Sequence, residues 1–336
     1  MKKVLFYSSV KTKKLFSIQS YYRNDILILR ELGYKVILSK SICDFLCFWR
    51  YDIAYLFFYR YSLFSAFLAK LFGKKVYFTG GIDYLDRTFA TRRQRIIQGV
   101  FFKLCNIFSD TNIIVSHADL ENITRLYKGK CPSKCKLCFH VVDVKAMAYR
   151  GDFQSKTKRF VTIAWMLRKD NVYRKGIDKA VRVFAAVHKV FPEYTFSIAG
   201  PMGEGSDYVQ MLIDELHLND SVKLLGTITE EEKIQLLQTS RFYFQLSTYE
   251  GFGIAAAEAL AAGNILIHSG RGGLRDAAGP FGYVVDIDNE QDIIRCVLDL
   301  CKREISNQQM NDGIRYVEQM FSYQQRMDFL NGILNK

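Results

Sequence analysis

No stretch of eighteen uncharged apolar residues occurs in this chain of 336. The nearest candidate, residues 53–72, is interrupted by Arg60 and Lys70, which excludes a spanning helix there. The opening MKKVLFYSSVKTKK has too short an apolar part for a signal peptide and reads as a first strand. A cytoplasmic protein is expected. Acidic residues are scarce in the first half. Residues 1–150 carry 26 Lys and Arg against 10 Asp and Glu, a net +16, while the rest carries −3 of the total +13. Such asymmetry points to a polyanion, either nucleic acid or an anionic membrane surface. No RNA-binding signature is present. The ring-rich run Phe45-Leu46-Cys47-Phe48-Trp49-Arg50-Tyr51 suits an interface where rings meet headgroups, so a peripheral position at the inner face of the membrane is the preferred reading. The candidate surface is Arg92, Arg93 and Arg95 with Phe101, Phe102 and the Trp49 segment.

What is present fits an ordinary globular protein, 49% hydrophobic and 24% charged, long enough for two domains with large cores. Eight cysteines in such a chain argue for reduced thiols. Cys131-x3-Cys135-x2-Cys138-x-His140 has a spacing known from iron–sulfur and zinc sites. It sits mid-chain, before a Val-Val-Asp that looks like a strand end, without a barrel pattern around it. Buried or incidental thiols are therefore expected, and no metal site.

Strand and helix patterns alternate along the chain. Residues 4–7 read as a strand, 22–32 as a helix closed by Gly33, and 36–38 as a strand. Strands at 53–58, 76–78 and 113–115 and helices at 62–72 and 91–108 continue the series. The polar, aperiodic residues 151–158 read as a linker, which divides the chain at 150/151. The alternation restarts with strands at 160–164, 195–199 and 222–225 and helices at 177–190, 208–216 and 230–239. Residues 291–303 and 312–334 read as closing helices.

The most informative stretch is 241–276, RFYFQLSTYEGFGIAAAEALAAGNILIHSGRGGLRD. Residues 242–246 have strand character. A turn-rich loop carries Glu250 ahead of Gly251-Phe252-Gly253, residues 255–262 form an alanine-rich helix, Gly263 stops it, and 265–267 form the next strand. Glu250 stands just before a helix N-terminus, where free N–H groups favour an anion. Glu258 lies about two turns further along and can face the same side. Taken singly, each carboxylate also fits an ordinary solvated charge.

Together, the string E-G-F-G-x-x-x-x-E-A-x-A-x-G resembles the signature of the retaining nucleotide-sugar glycosyltransferases of family 4 (glycosyl transferases group 1), which have the GT-B fold. The resemblance implies an α/β architecture of two Rossmann-like doubly wound domains facing a cleft. These would be an acceptor-side domain at 1–150, a donor domain at 151–315, and a C-terminal helix at 316–336 packing back toward the first domain. It gives Glu250 the transferred sugar and Glu258 the nucleotide ribose. Arg174-Lys175-Gly176 ahead of a helix resembles the family's diphosphate site, with Lys175 on the leaving phosphates. The usual Gly-Arg after the strand is here Ala164-Trp165, so Arg168 or Arg174 is expected to supply the guanidinium. The amides of Gly251, Phe252 and Gly253 would join the phosphate site. The family's Gly-rich turn after the first strand and the His of the segment 79–83 are both missing, which leaves Asp83 as the acceptor-side candidate, with a helix cap as its other reading. Asp286-Ile287-Asp288 comes too late to be a metal-binding D-x-D and reads as capping.

The implied function is transfer of a sugar from a UDP- or GDP-sugar to a hydroxyl of a carbohydrate or glycolipid acceptor, with no cofactor required. It is expected to serve cell-surface polysaccharide or glycolipid synthesis. Two other readings stay open: a non-catalytic sugar-nucleotide binder, which would bind donor without turnover, and a nucleic-acid-binding protein, which would explain the basic half but not Glu250 or Glu258.

Overall fold

The structure, a computed structural model, describes residues 1–335. It divides into two compact units, Met1–Val141 with Phe321–Lys336, and Val142–Met320. Residues 142–158, read from sequence as the end of one domain and a linker, lie in the second unit. Phe153 is buried there, its backbone N–H donates to Asn307 Oδ1 (2.7 Å), and Gln154 Nε2 donates to the carbonyl of Ile305 (3.0 Å). Polarity along this stretch reflects anchoring side chains rather than a free tether.

The first unit holds a six-stranded parallel sheet, β1 (Lys3–Tyr7), β2 (Lys35–Ser39), β3 (Ile53–Phe57), β4 (Lys75–Thr79), β5 (Thr111–Ile114) and β6 (Cys135–Leu137), in the order β2-β1-β3-β4-β5-β6. All of its pairs are parallel, so helices must cover both faces, and the central strands are largely apolar. Strand β3, IAYLF, is buried at every position. The sixth strand falls on the cysteine-rich stretch, where lysine and cysteine alternation hid it.

The closing helix 312–334 expected from sequence is two helices, Asn307–Met320 and Tyr323–Leu334. Ser322 separates them, because its side chain accepts the N–H of Gln325 (3.3 Å) and so begins a new helix. The second helix belongs to the first unit. Its Arg326 is fully buried, donating from Nε to Asp25 Oδ1 (2.5 Å) and from a terminal nitrogen to Oδ2 (2.8 Å). Its other terminal nitrogen donates to the carbonyls of Cys138 and Phe139 (3.1 and 2.9 Å). Tyr55 donates its hydroxyl to the same carboxylate (2.8 Å). Each guanidinium nitrogen and each carboxylate oxygen has a partner, which is the condition under which a buried ion pair holds.

The expected surface around Arg92, Arg93 and Arg95 needs one correction. On the helix Arg92–Phe108, Phe102 faces the core with Gly99 and Cys105 and is buried. The outward face carries other residues, because a helix repeats every 3.6 residues and not in adjacent pairs.

The second unit holds β7 (Thr157–Ile163), β8 (Thr195–Ala199), β9 (Val222–Gly226), β10 (Ser240–Gln245), β11 (Ile265–His268) and β12 (Tyr283–Val284). Their order is β12-β11-β10-β7-β8-β9, all parallel. Counted from its own first strand this is 3-2-1-4-5-6, the doubly wound order whose ligand crevice opens at the C-terminal ends of the two central strands. Those strands are β7 and β10. Phe160 of β7 stacks on Phe242 and Phe244 of β10 at ring distances of 4.8 and 5.0 Å, fixing their register.

Replacing Arg326 by Leu should destabilise the first unit by about 3–5 kcal/mol, since Asp25 is then buried without a counter-charge. Denaturant unfolding is the measurement. Adding Asp25→Leu should recover a large part of the loss, and a double variant no better than the single one would show that the pair is not the cause.

Candidate active site

Three loops leave the C-terminal ends of β7, β10 and β11, and they are bound to one another backbone to backbone. After β7 the chain forms a short helix, Lys169–Lys175. Gly176 ends it in the left-handed conformation, φ +65°. A Cβ at Gly176 would lie 2.2 Å from the carbonyl oxygen of Leu246, so only glycine allows this turn to reach the end of β10. Thr248 then donates its N–H to the carbonyl of Arg174 (2.9 Å). On the other side, Glu250 forms a parallel bridge with Gly272, and its carbonyl accepts the N–H of Gly273 (2.7 Å). A Cβ at Gly272 would stand 2.2 Å from that same carbonyl oxygen.

This framework brings Lys175 and Glu250 together. Lys175 Nζ lies 2.5 Å from Glu250 Oε1, and the same oxygen accepts from Ser247 Oγ (2.7 Å) and Gln245 Nε2 (3.0 Å). Glu250 is buried while Lys175 is partly open to solvent. Burial pushes the Glu250 carboxyl up, but the charges of Lys175 and Arg174 and the Ser247 hydrogen bond hold it below its ordinary 4.5. The carboxylate is therefore ionised at neutral pH, and Lys175 turns one side to solvent.

Glu258 lies on the helix Ile254–Ala261, among alanines that are buried and let neighbouring backbone come close. Its Oε1 accepts from Lys233 Nζ at 2.9 Å, and Lys233 reaches Glu230 at the same distance. Burial draws the Lys233 ammonium down, and the two carboxylates more than offset this, so its pKa is raised. The Tyr243 hydroxyl is buried and accepts the N–H of Ile163 (3.2 Å), and its pKa is raised first by burial and then by the charges of Glu258 and Glu250.

Of the two candidate guanidiniums, Arg174 acts on Glu250 through its charge. Arg168 is exposed at the start of its helix, with its backbone N–H held by Asn171 Oδ1 (3.2 Å). Gly253, at φ +98°, precedes the helix Ile254–Ala261, and Phe252 is buried. Asp83 lies in the first unit, in the turn Asp83–Leu85 that follows β4. Asp286 and Asp288 accept loop N–H groups or pair with basic side chains: Asp286 Oδ1 takes the N–H of Asp288 (3.0 Å), and Asp288 binds Arg271. The cysteine cluster is divided, with Cys131 and Cys135 together at one core cluster of the first unit and Cys138 against the other. Among the described residues no three His, Cys, Asp or Glu side chains are placed to hold a metal ion.

Sequence reasoning missed Lys233, Gln245 and Ser247. Lys233 follows Glu230-Glu231-Glu232 and looks like a surface i,i+3 pair. Gln245 and Ser247 carried a signal, since polar residues at the end of an aromatic strand, just before a glutamate, need a reason to be there.

The Lys175–Glu250 pair has a pH signature. The folded pKa of Glu250 is depressed, so its ionisation contributes stability above the unfolded value of 4.5 and loses it as pH falls through the folded value. In Lys175→Met the folded pKa rises. The stability gap between wild type and variant should therefore widen as pH rises through the acid range toward neutrality and close in acid. Parallel stability curves from denaturant unfolding would contradict this.

The sequence profile of the family described as glycosyl transferases group 1 matches residues 168–316, which include Arg168, Lys175, Glu250 and Glu258. The chain is 28% identical over 232 residues to a phosphatidylinositol N-acetylglucosaminyltransferase subunit of Arabidopsis thaliana, covering 68% of this chain and 49% of that one. It is 30% identical over 139 residues to a GDP-mannose:cellobiosyl-diphosphopolyprenol alpha-mannosyltransferase of Xanthomonas oryzae, covering 41% and 35%. The chain thus spans about half or less of the length of these relatives. Among solved structures, Anabaena HepE in complex with UDP and glucose matches with a TM-score of 0.74 at 17% identity, over the whole of both chains. Sucrose-phosphate synthase from Thermosynechococcus elongatus matches at 0.75 and 15%, over 100% and 98%. Residues 168–316, within the second unit, match the glycosyl transferases group 1 profile, and the chain has the GT-B fold of two Rossmann-like α/β domains.

Proposed function

We propose that the chain transfers a sugar from a nucleoside-diphosphate sugar to an acceptor hydroxyl, with retention of configuration. The observation that carries this reading is the solvent-facing Lys175 on the buried Glu250, at the crevice where the doubly wound order reverses. The difficulty of the reaction is negative charge growing on the departing diphosphate while the anomeric carbon becomes cation-like. Preorganised cations lower that barrier. Lys175 and Arg174 supply them, with Arg168 at the mouth of the same loop and the amides of Gly251 to Gly253 beside the helix N-terminus. A donor diphosphate would share Lys175 with Glu250, leaving Glu250 to orient the transferred sugar. Glu258, fixed by Lys233, would hold the ribose hydroxyls. Asp83 remains the acceptor-side candidate.

The donor is a UDP- or GDP-sugar. HepE was solved with UDP and glucose, while the Xanthomonas relative is named for GDP-mannose. That relative's acceptor, and the phosphatidylinositol in the name of the Arabidopsis one, favour a glycolipid or lipid-linked carbohydrate acceptor and a place in cell-surface polysaccharide or glycolipid synthesis. A binder without turnover would keep the donor contacts and release no nucleoside diphosphate.

A panel of UDP- and GDP-sugars, scored for release of the nucleoside diphosphate, tests the reading, and no release from any donor with any acceptor would favour the non-catalytic binder. With the donor identified, Lys175→Ala should lower turnover by about 100-fold or more. Near-normal turnover would move the phosphate site elsewhere. The two glutamates should separate kinetically. Glu258→Gln should mainly raise the donor KM, because ribose contacts are alike in ground and transition states, and Glu250→Gln should mainly lower kcat. The opposite pattern would reverse their roles.

A further inference from the structure

The first unit presents an apolar face that its own fold does not use. The helix Arg92–Phe108 turns Gly99, Phe102 and Cys105 inward. On its opposite face Ile96, Val100, Leu104 and Ile107 follow at spacings of four, four and three, and all are exposed, Ile107 at 65%. Beside it, the helix Leu63–Leu71 buries Ser65, Ala66 and Ala69 and turns Phe64, Phe67 and Leu71 outward. The Phe67 and Phe108 rings meet at 5.6 Å, so the two helices are neighbours. Between them runs a groove of about 420 Å³, lined by Phe64, Phe67, Leu104 and Phe108 among others. Phe48 stacks on Phe72 at 4.5 Å and extends the face to Trp49, which is 67% exposed.

Two helices each spending an outer stripe on aliphatic and aromatic side chains is more than scattered surface hydrophobicity, and such a patch marks a docking surface. Charge selects the occupant. Residues 60–75 and 92–108 together contain eight Lys and Arg and no Asp or Glu. Lys70 pairs with Asp110 at 2.7 Å, and Arg60 lies over the Tyr61 and Phe101 rings. A second copy of the chain would set this cationic face against its equal. A layer of anionic headgroups over hydrocarbon complements both halves of the pattern.

We infer that the outer faces of the helices Leu63–Leu71 and Arg92–Phe108, with the Phe48-Trp49 turn, dock on an anionic lipid surface. The apolar stripes enter the headgroup boundary and the flanking Lys and Arg stay at headgroup level. This stands on the geometry of the first unit and does not depend on the transferase reading of the second.

The test is cosedimentation of the full chain with phosphatidylglycerol-containing vesicles and with pure phosphatidylcholine vesicles, at low and raised salt. Wild type should bind the anionic vesicles and release with salt. A Phe64→Ser, Val100→Ser, Ile107→Ser variant should bind roughly 10-fold or more weakly, as loss of three inserted side chains implies. All three positions are exposed, and circular dichroism confirms that the variant is folded. In a Trp165→Phe background, Trp49 emission should be quenched by brominated lipid in the vesicle. Equal binding to neutral vesicles, an undiminished triple variant or an unquenched Trp49 would overturn the inference. So would a lipid-free dimer, seen by sedimentation velocity, that the triple substitution dissolves.

Discussion

A carboxylate taken out of water needs a cation, and in this protein that requirement joins the parts of the second unit. Glu250 is buried at the end of β10, and Lys175, at the end of a short helix after β7, meets it at 2.5 Å. The contact exists only because adjacent parallel strands bring their C-terminal ends together and because Gly176 and Gly272 let three loops touch backbone to backbone. Alanine at either position would push a Cβ into a carbonyl oxygen. The ion pair in turn keeps Glu250 charged at neutral pH, which leaves a cation facing solvent at the crevice of a doubly wound sheet.

The two units share an architecture and differ in what their surfaces do. Both are six-stranded parallel sheets of doubly wound order, reversing between β1 and β3 in the first and between β7 and β10 in the second. In the second, ion pairs gather beyond the strand ends, Lys175 on Glu250 and Lys233 on Glu258. In the first, the conspicuous features are a buried ion pair that ties the last helix to the helix Ser20–Glu31 and an outer face that is apolar and cationic at once. No helix among the described residues is long and apolar enough to cross a membrane.

The alternation of strands and helices was legible because parallel strands buried on both faces are short apolar runs, and because glycine marks where helices stop. Glu250, Glu258 and Lys175 were legible for a different reason: turn glycines, small helix residues and charges occur together in one short stretch. What escaped depended on partners far away in sequence. Lys233 looked like a surface lysine until the fold set it on Glu258, twenty-five residues on. Lys156 sits in a stretch that reads as linker, yet its amine is buried against the carbonyls of Gln238 and Ala262 (2.6 and 2.9 Å). The charged run Lys169–Lys175 reads as loop because a seven-residue helix has too few turns to show a period. Phe101-Phe102 reads as one patch, although adjacent residues on a helix point about 100° apart. Only Phe102 is buried.

If Glu250 holds Lys175 in readiness for a diphosphate, a crystal structure of the chain with UDP or GDP will show Lys175 Nζ within hydrogen-bond distance of a diphosphate oxygen, with Glu250 still beside it and the ribose hydroxyls at Glu258. A nucleotide bound away from Lys175, with Lys175 still paired to Glu250 alone, would contradict it.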